Sequence, residues 1–131
     1  MLAPRWLSRL VVDTIHAELL HEHGGAPGIR EGGDDLIESA LSRPRNRLGY
    51  QAGSDLADLA AAYLFGLTRN HGYVDGNKRV AFAAATTFLL VNGRRLTASE
   101  SAAYEVVIAV ADGRMAEGAL AAWIRENTSP R

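Results

Sequence analysis

The chain has 131 residues, 47% of them apolar, a formal net charge of −1 and no cysteine. That length suits one domain, residues 1–131, with a core of its own, and the apolar share argues against disorder. The charge removes the basic footprint of a direct nucleic-acid partner, and the lack of cysteine excludes a disulfide framework or a thiolate metal site.

The N-terminal apolar run, Leu10 to Val12, is broken by Asp13. No stretch nears the ~18 apolar residues of a membrane span, so a cytoplasmic protein without a membrane partner is expected. The apolar spacing is helical almost throughout. Leu7, Val11, Ile15 and Leu19 form one stripe, stopped at Gly24. His16 lies one place past that stripe and reads as a boundary residue. His21 and His23 suit the dipole at the helix end, and with no partner at ligand spacing zinc is not expected. Gly24 to Gly33 reads as a connector and not as a P-loop, because Gly-Lys-Ser/Thr is absent. A short helix is expected around Asp35 to Leu41. Arg43 to Ser54 holds Pro44 and Gly49, lacks helical periodicity, and reads as irregular.

Leu56, Leu59, Ala60, Tyr63, Leu64 and Leu67 form a second stripe that runs into His71. Val80, Ala84, Thr87, Phe88 and Val91 form a third, stopped by Asn92-Gly93. This helix is rich in alanine (Ala81, Ala83, Ala84, Ala85), which allows close approach, so it is expected to be the central, most enclosed one. Thr97-x-x-Glu100 reads as a capping box ahead of Tyr104, Val107, Ile108 and Ala111, and Asp112-Gly113 closes that helix. Ala116, Leu120, Trp123 and Ile124 form the last. The fold class expected is all-α, a compact bundle of about six helices.

The chemistry gathers in His71-Gly72-Tyr73-Val74-Asp75-Gly76-Asn77-Lys78-Arg79, followed at once by the apolar helix Val80 to Val91. A loop that ends on a helix N-terminus aims main-chain N–H groups at an anion, and the helix dipole favours negative charge there. Lys78 brings a point charge and Arg79 a planar fork for phosphoryl oxygens. Asn77 suits an anion contact or the closing of the loop. Asp75 is a hard oxygen ligand of the kind magnesium takes beside substrate phosphates. Histidine is the side chain that most often serves as a general base, and His71 is the candidate here. Asp-Gly-Asn alone is an ordinary turn, and Asn-Lys-Arg a solvated first helical turn; the conjunction is what points to a site.

That segment resembles the signature of the Fic/Doc superfamily, and of its Doc (death-on-curing) branch in particular, roughly His-x-Phe-x-Asp-(Ala/Gly)-Asn-Lys-Arg and then a helix ending Phe-Leu-x-x-Asn-Gly. Phe88-Leu89-Leu90-Val91-Asn92-Gly93 stands where that tail belongs. Gly24-Gly25-Ala26-Pro27-Gly28-Ile29 and Leu36 to Leu41 resemble the N-terminal block. The likeness covers residues 8 to 126. It implies a Fic-type helical fold with the active-site loop at the N-terminus of a central helix, and a flap in the Arg43–Ser54 region that docks the target protein. It further implies His71 as general base, Asp75 as holder of a magnesium ion, Gly76 and Asn77 beside the nucleotide phosphates, and Lys78 and Arg79 on the transferring group. ATP and Mg2+ are then the implied cofactors.

Adenylylating Fic members carry His-Pro-Phe-x-x-Gly-Asn-Gly-Arg with a later Arg. Here Gly72 replaces the Pro, Lys78 the second Gly, and Phe82 stands where the later Arg would be. The Doc pattern implies instead a toxin of a bacterial toxin–antitoxin pair that phosphorylates a Ser/Thr hydroxyl of a translation factor, elongation factor Tu, and arrests translation. Its partner would be a Phd-like antitoxin whose tail folds to a helix on the toxin; no inhibitory Ser/Thr-x-x-x-Glu-Gly/Asn motif is present in the chain. Two alternatives stay open: an adenylyltransferase using the same residues, and a catalytically silent binding module.

Overall fold

The computed structural model describes residues 3–131. Six α-helices follow one another: α1 (Arg9–His23), α2 (Gly33–Tyr50), α3 (Leu56–Asn70), α4 (Asn77–Val91), α5 (Glu100–Ala111) and α6 (Glu117–Glu126). Between α4 and α5 lies β1 (Arg94–Leu96), which pairs antiparallel with β2 (Thr128–Pro130) after α6. The fold is the expected all-α bundle; the ribbon was not foreseen, because strands of three residues are too short to show a period.

The enclosed helix is α3, not α4. Ten of the fifteen residues of α3 are buried, against seven of fifteen in α4. α3 packs against α2, α4, α5 and α6 at once. Small side chains again give the reason: Ala57, Ala60, Ala61, Ala62 and Gly66 let neighbours approach from every side. The Tyr63 and Phe88 rings meet at 5.0 Å in the core. The Tyr63 hydroxyl is not left orphaned, because it accepts the Leu7 N–H at 3.0 Å.

Asp55 starts α3 through a capping box with Asp58. Arg125 of α6 grips the same carboxylate through Nε at 2.7 Å and Nη2 at 3.1 Å. Those hydrogen bonds outweigh burial and, helped by the Asp58 N–H, pull the Asp55 carboxyl from 3.8 to about 2. A lowered carboxyl adds stability that is complete above its unfolded value and is lost as pH falls through the folded one. Thermal unfolding should therefore show the Asp55 contribution fading between about pH 4 and pH 2, and an Asp55→Asn chain should lack that part of the acid slope.

α2 corrects two expectations. It is not a short helix, and residues 43–50 are not irregular: the helix continues through Pro44 to Tyr50. Pro44 removes one donor, the one that would reach the Ala40 carbonyl. The helix persists because the Pro44 ring is buried beside Ala40 and Leu41 against α3, and because Arg43 and Arg47 are tied to Glu117 at 2.6 and 2.9 Å. Only residues 51–55 remain as a connector to α3. α5 is capped by Ser99, whose Oγ accepts the Ala102 N–H at 3.2 Å. Thr97 is no cap; it ends the ribbon, with its N–H on the Asn127 carbonyl at 2.7 Å. Of the expected first stripe, Leu7 is buried and Ile15 and Leu19 pack partly buried against the core, but Val11 faces out, and on α1 Val12 and His16 are the buried residues. His16 is thus a buried residue and not a boundary one.

Candidate active site

α3 ends on His71, which is held in the left-handed region at φ 54, ψ 51. It is the one non-glycine residue with positive φ among the described residues. That conformation costs about 1–3 kcal/mol and persists only where neighbours enforce it. Arg30 is one enforcer: its Nη1 donates to the His71 carbonyl at 2.9 Å. The loop then turns back and enters α4 at Gly76, again left-handed at φ 78.

Between these ends the loop is fastened to α1 and to residues 24–32. Asn77 is buried; its Oδ1 accepts the Tyr73 N–H at 3.0 Å and its Nδ2 donates to the Tyr73 carbonyl at 2.9 Å. Both polar ends of the side chain are committed, so Asn77 closes the loop, and only its main-chain N–H remains for an anion. Without it two buried main-chain groups would go unpaired, at about 1–3 kcal/mol each. The Tyr73 ring stacks on His16 at 3.8 Å between centroids, and its hydroxyl donates to Asp13 at 2.6 Å. Burial and the Asp13 charge push that phenol well above its ordinary range, so it stays a donor. Asp13 is itself held by Arg9, which also reaches Asp34 and Glu38.

Residues 24–32, expected as a plain connector, form a clamp. The Val74 N–H donates to the Gly28 carbonyl at 3.0 Å and the Arg30 N–H to Gly72 at 3.2 Å, making a short β-bridge between Ile29 and Tyr73. The Ala26 N–H donates to Asp75 Oδ2 at 3.2 Å. Gly33 abuts the loop so closely that a Cβ there would sit 2.1 Å from the Gly72 carbonyl. A Cβ on Gly72 would meet Ile37 at 2.6 Å, which is why a proline ring has no room at that position here.

His71, Asp75, Gly76, Asn77, Lys78 and Arg79 all line one groove of about 850 Å³. It runs from the loop along Phe82, Thr86 and Leu90 of α4, faced by Tyr104 and Val107 of α5. The N–H groups of Asn77, Lys78 and Arg79 are beyond the reach of helical acceptors. Lys78 and Arg79 are exposed and pair with no carboxylate among the described residues. Positive charge and main-chain donors therefore line the same groove. The Asp75 carboxyl lies below its ordinary value because the Ala26 and Gly76 N–H groups donate to it, with Arg79 adding its charge. Sequence reasoning missed His16, Asp13, Ala26, Gly28 and Arg30. The glycine-rich block was the one visible signal for the clamp; nothing marked His16 or Asp13.

The chain belongs to the Fic/DOC family, whose model matches residues 6–89, and it is of the Doc type. It is similar to a protein named Toxin Doc from Mycolicibacterium smegmatis (strain ATCC 700084 / mc(2)155), 49% identical over 76 residues and 57% of each chain. It is also similar to one named Protein kinase doc from Escherichia phage P1, 30% identical over 111 residues, 85% of this chain and 86% of that one. The chain thus spans little more than half of the first relative and most of the second. No described helix is long and apolar enough to cross a membrane.

Proposed function

We propose that the chain, as a single domain over residues 1–131, is the toxin of a bacterial toxin–antitoxin pair and a protein kinase. It transfers the γ-phosphate of ATP to a Ser or Thr hydroxyl of a translation factor in the cytoplasm, with elongation factor Tu as the expected target. The observation that carries this reading is the first turn of α4: three main-chain donors without helical acceptors, two cations without a carboxylate partner among the described residues, and His71 on the same groove. The names of the two relatives, one a toxin and one a protein kinase, support it.

In this reading His71 takes the proton from the target hydroxyl. The hydroxyl oxygen bonds to the γ-phosphorus as the bond to the bridging β–γ oxygen breaks, and ADP leaves with that electron pair. Lys78, Arg79 and the N–H groups of the first turn hold the charge on the transferring oxygens, and Gly76 lets the main chain come close. Phosphoryl transfer depends mostly on such positioning and neutralisation. The residues present fit one magnesium ion. Asp75 is an exposed carboxylate whose oxygens each accept one main-chain N–H and keep a lone pair free. No group of three or more ligating side chains occurs among the described residues, which suits a metal held largely by nucleotide phosphates and water. When bound, that ion would neutralise phosphate oxygens. The apolar groove between α4 and α5, with exposed Leu90 and Tyr104, suits a helix from a Phd-like antitoxin.

Lys78 fills space that adenylylating members leave to glycine, and Phe82 cannot supply the guanidinium those members carry at that position, although Arg95 of β1 also lines the groove. The target should therefore gain a phosphoryl adduct of about 80 Da and not an adenylyl adduct of about 329 Da. Label from γ-labelled ATP should follow the target and α-label should not; the reverse pattern would overturn the kinase reading. Asp75→Asn should lower activity most at low magnesium, with partial recovery at high magnesium. An unchanged magnesium titration would leave Asp75 with its turn-building role alone.

A further inference from the structure

We infer that His16 is a positioning residue for the transfer reaction, acting through the Asp75–Gly76 peptide; this rests on the enzymatic reading above. Gly76 enters α4 in the left-handed region. Glycine offers no steric resistance to a flip of the peptide before it, the motion that interconverts common turn types. The peptide is instead fixed from both sides. His16 Nε2 lies 2.7 Å from the Asp75 carbonyl oxygen, and the Gly76 N–H donates to Asp75 Oδ1 at 2.9 Å. In a trans peptide these two groups point in opposite directions, so each contact opposes the same rotation.

The imidazole is well placed for this. It is 95% buried, stacked on Tyr73 at 3.8 Å, and packed against Gly76, whose Cβ position would be 3.5 Å from Nε2. A carbonyl oxygen only accepts, so Nε2 must carry the proton. A flipped peptide would put a carbonyl dipole where the Gly76 N–H now is and release the Asp75 carboxylate from its own main chain. It would also change the approach into the first turn of α4, where Asn77, Lys78 and Arg79 present their N–H groups. Misplacement of about 1 Å at such a site costs on the order of 100-fold in rate.

Two variants separate the hydrogen bond from the packing. His16→Phe keeps a ring against Tyr73 and loses the donor. His16→Gln keeps a donor at about the reach of Nε2 and loses the ring. Expected for His16→Phe is a fall of about 10–100-fold in kcat for transfer from ATP, with KM for ATP little changed. His16→Gln should recover most of it. In the unliganded chains, 15N relaxation dispersion should find the Gly76 amide quiet in the parent and in His16→Gln, and exchanging in His16→Phe. A wild-type kcat in His16→Phe, a His16→Gln no better than His16→Phe, or a Gly76 amide indifferent to all three residues each overturns the assignment. Ring 15N shifts of the parent provide a check that needs no variant, since a ring protonated on Nδ1 alone refutes it. A parent chain that transfers nothing from ATP refutes the enzymatic reading separately, while the Gly76 amide still decides whether His16 pins the peptide.

Discussion

His71→Ala is expected to abolish growth arrest and to slow transfer by about 10²–10⁴-fold, the usual cost of losing a general base. The fold should survive, because only the His71 main chain is bonded, with its N–H on Leu67 and its carbonyl on Arg30. Alanine tolerates the left-handed region less well than histidine, so a modest drop in Tm is expected alongside. His71→Gly separates the two effects. Glycine relieves the φ 54 strain, so that variant should melt no lower than the parent and still be inactive. Growth arrest at the parental rate in either variant would end the assignment of His71 as the base.

Gly33→Ala should be the most damaging of the glycine-to-alanine changes. The new Cβ would meet main chain, the Gly72 carbonyl oxygen at 2.1 Å, and Ile29 at 2.6 Å. Main chain does not step aside as a flexible side chain does. Overpacking of this kind costs about 1–3 kcal/mol or more. The displaced group adjoins His71, so the transfer rate should fall by roughly 100-fold as well. Gly49→Ala is the control: it lies in the same helix with nothing within 4 Å, and should be neutral or slightly stabilising. A Gly33→Ala chain with parental Tm and rate would show that the first turn of α2 and the loop are not locked together.

Much of the fold was legible because helices of ten or more residues announce themselves by period. The stripe from Leu56 to Leu67 and the stop at Asn92-Gly93 mark α3 and α4 closely. Errors fell where local signals mislead. Pro44 reads as a breaker, yet side-chain ion pairs carry the helix past it. Thr97 and Ser99 both have cap chemistry, and Thr97 was drawn away by the ribbon to Asn127. Each of α3 and α4 holds four alanines, so alanine content does not tell which is enclosed; α3 is, because it packs against four other helices. In the candidate site, His71, Asp75, Gly76, Asn77, Lys78 and Arg79 could be read as a block because they lie within nine residues, and the fold brings them onto one groove. Their supports could not be read so. His16 and Asp13 belong to the site through bonds that span 59 and 60 positions, a separation that leaves no mark on spacing.

That separation bears on how the site comes into being during synthesis. Apart from Asn77, the side-chain and main-chain anchors of the loop all lie upstream of it, at His16, Asp13, Ala26, Gly28 and Arg30. A chain made from its N-terminus has therefore produced every one of these partners before the loop leaves the ribosome. The far wall of the groove, α5, is made afterwards. The chemical end of the groove and the wall that faces it thus belong to different moments of the chain's birth: the anchors come first, then the loop, and the binding surface closes last.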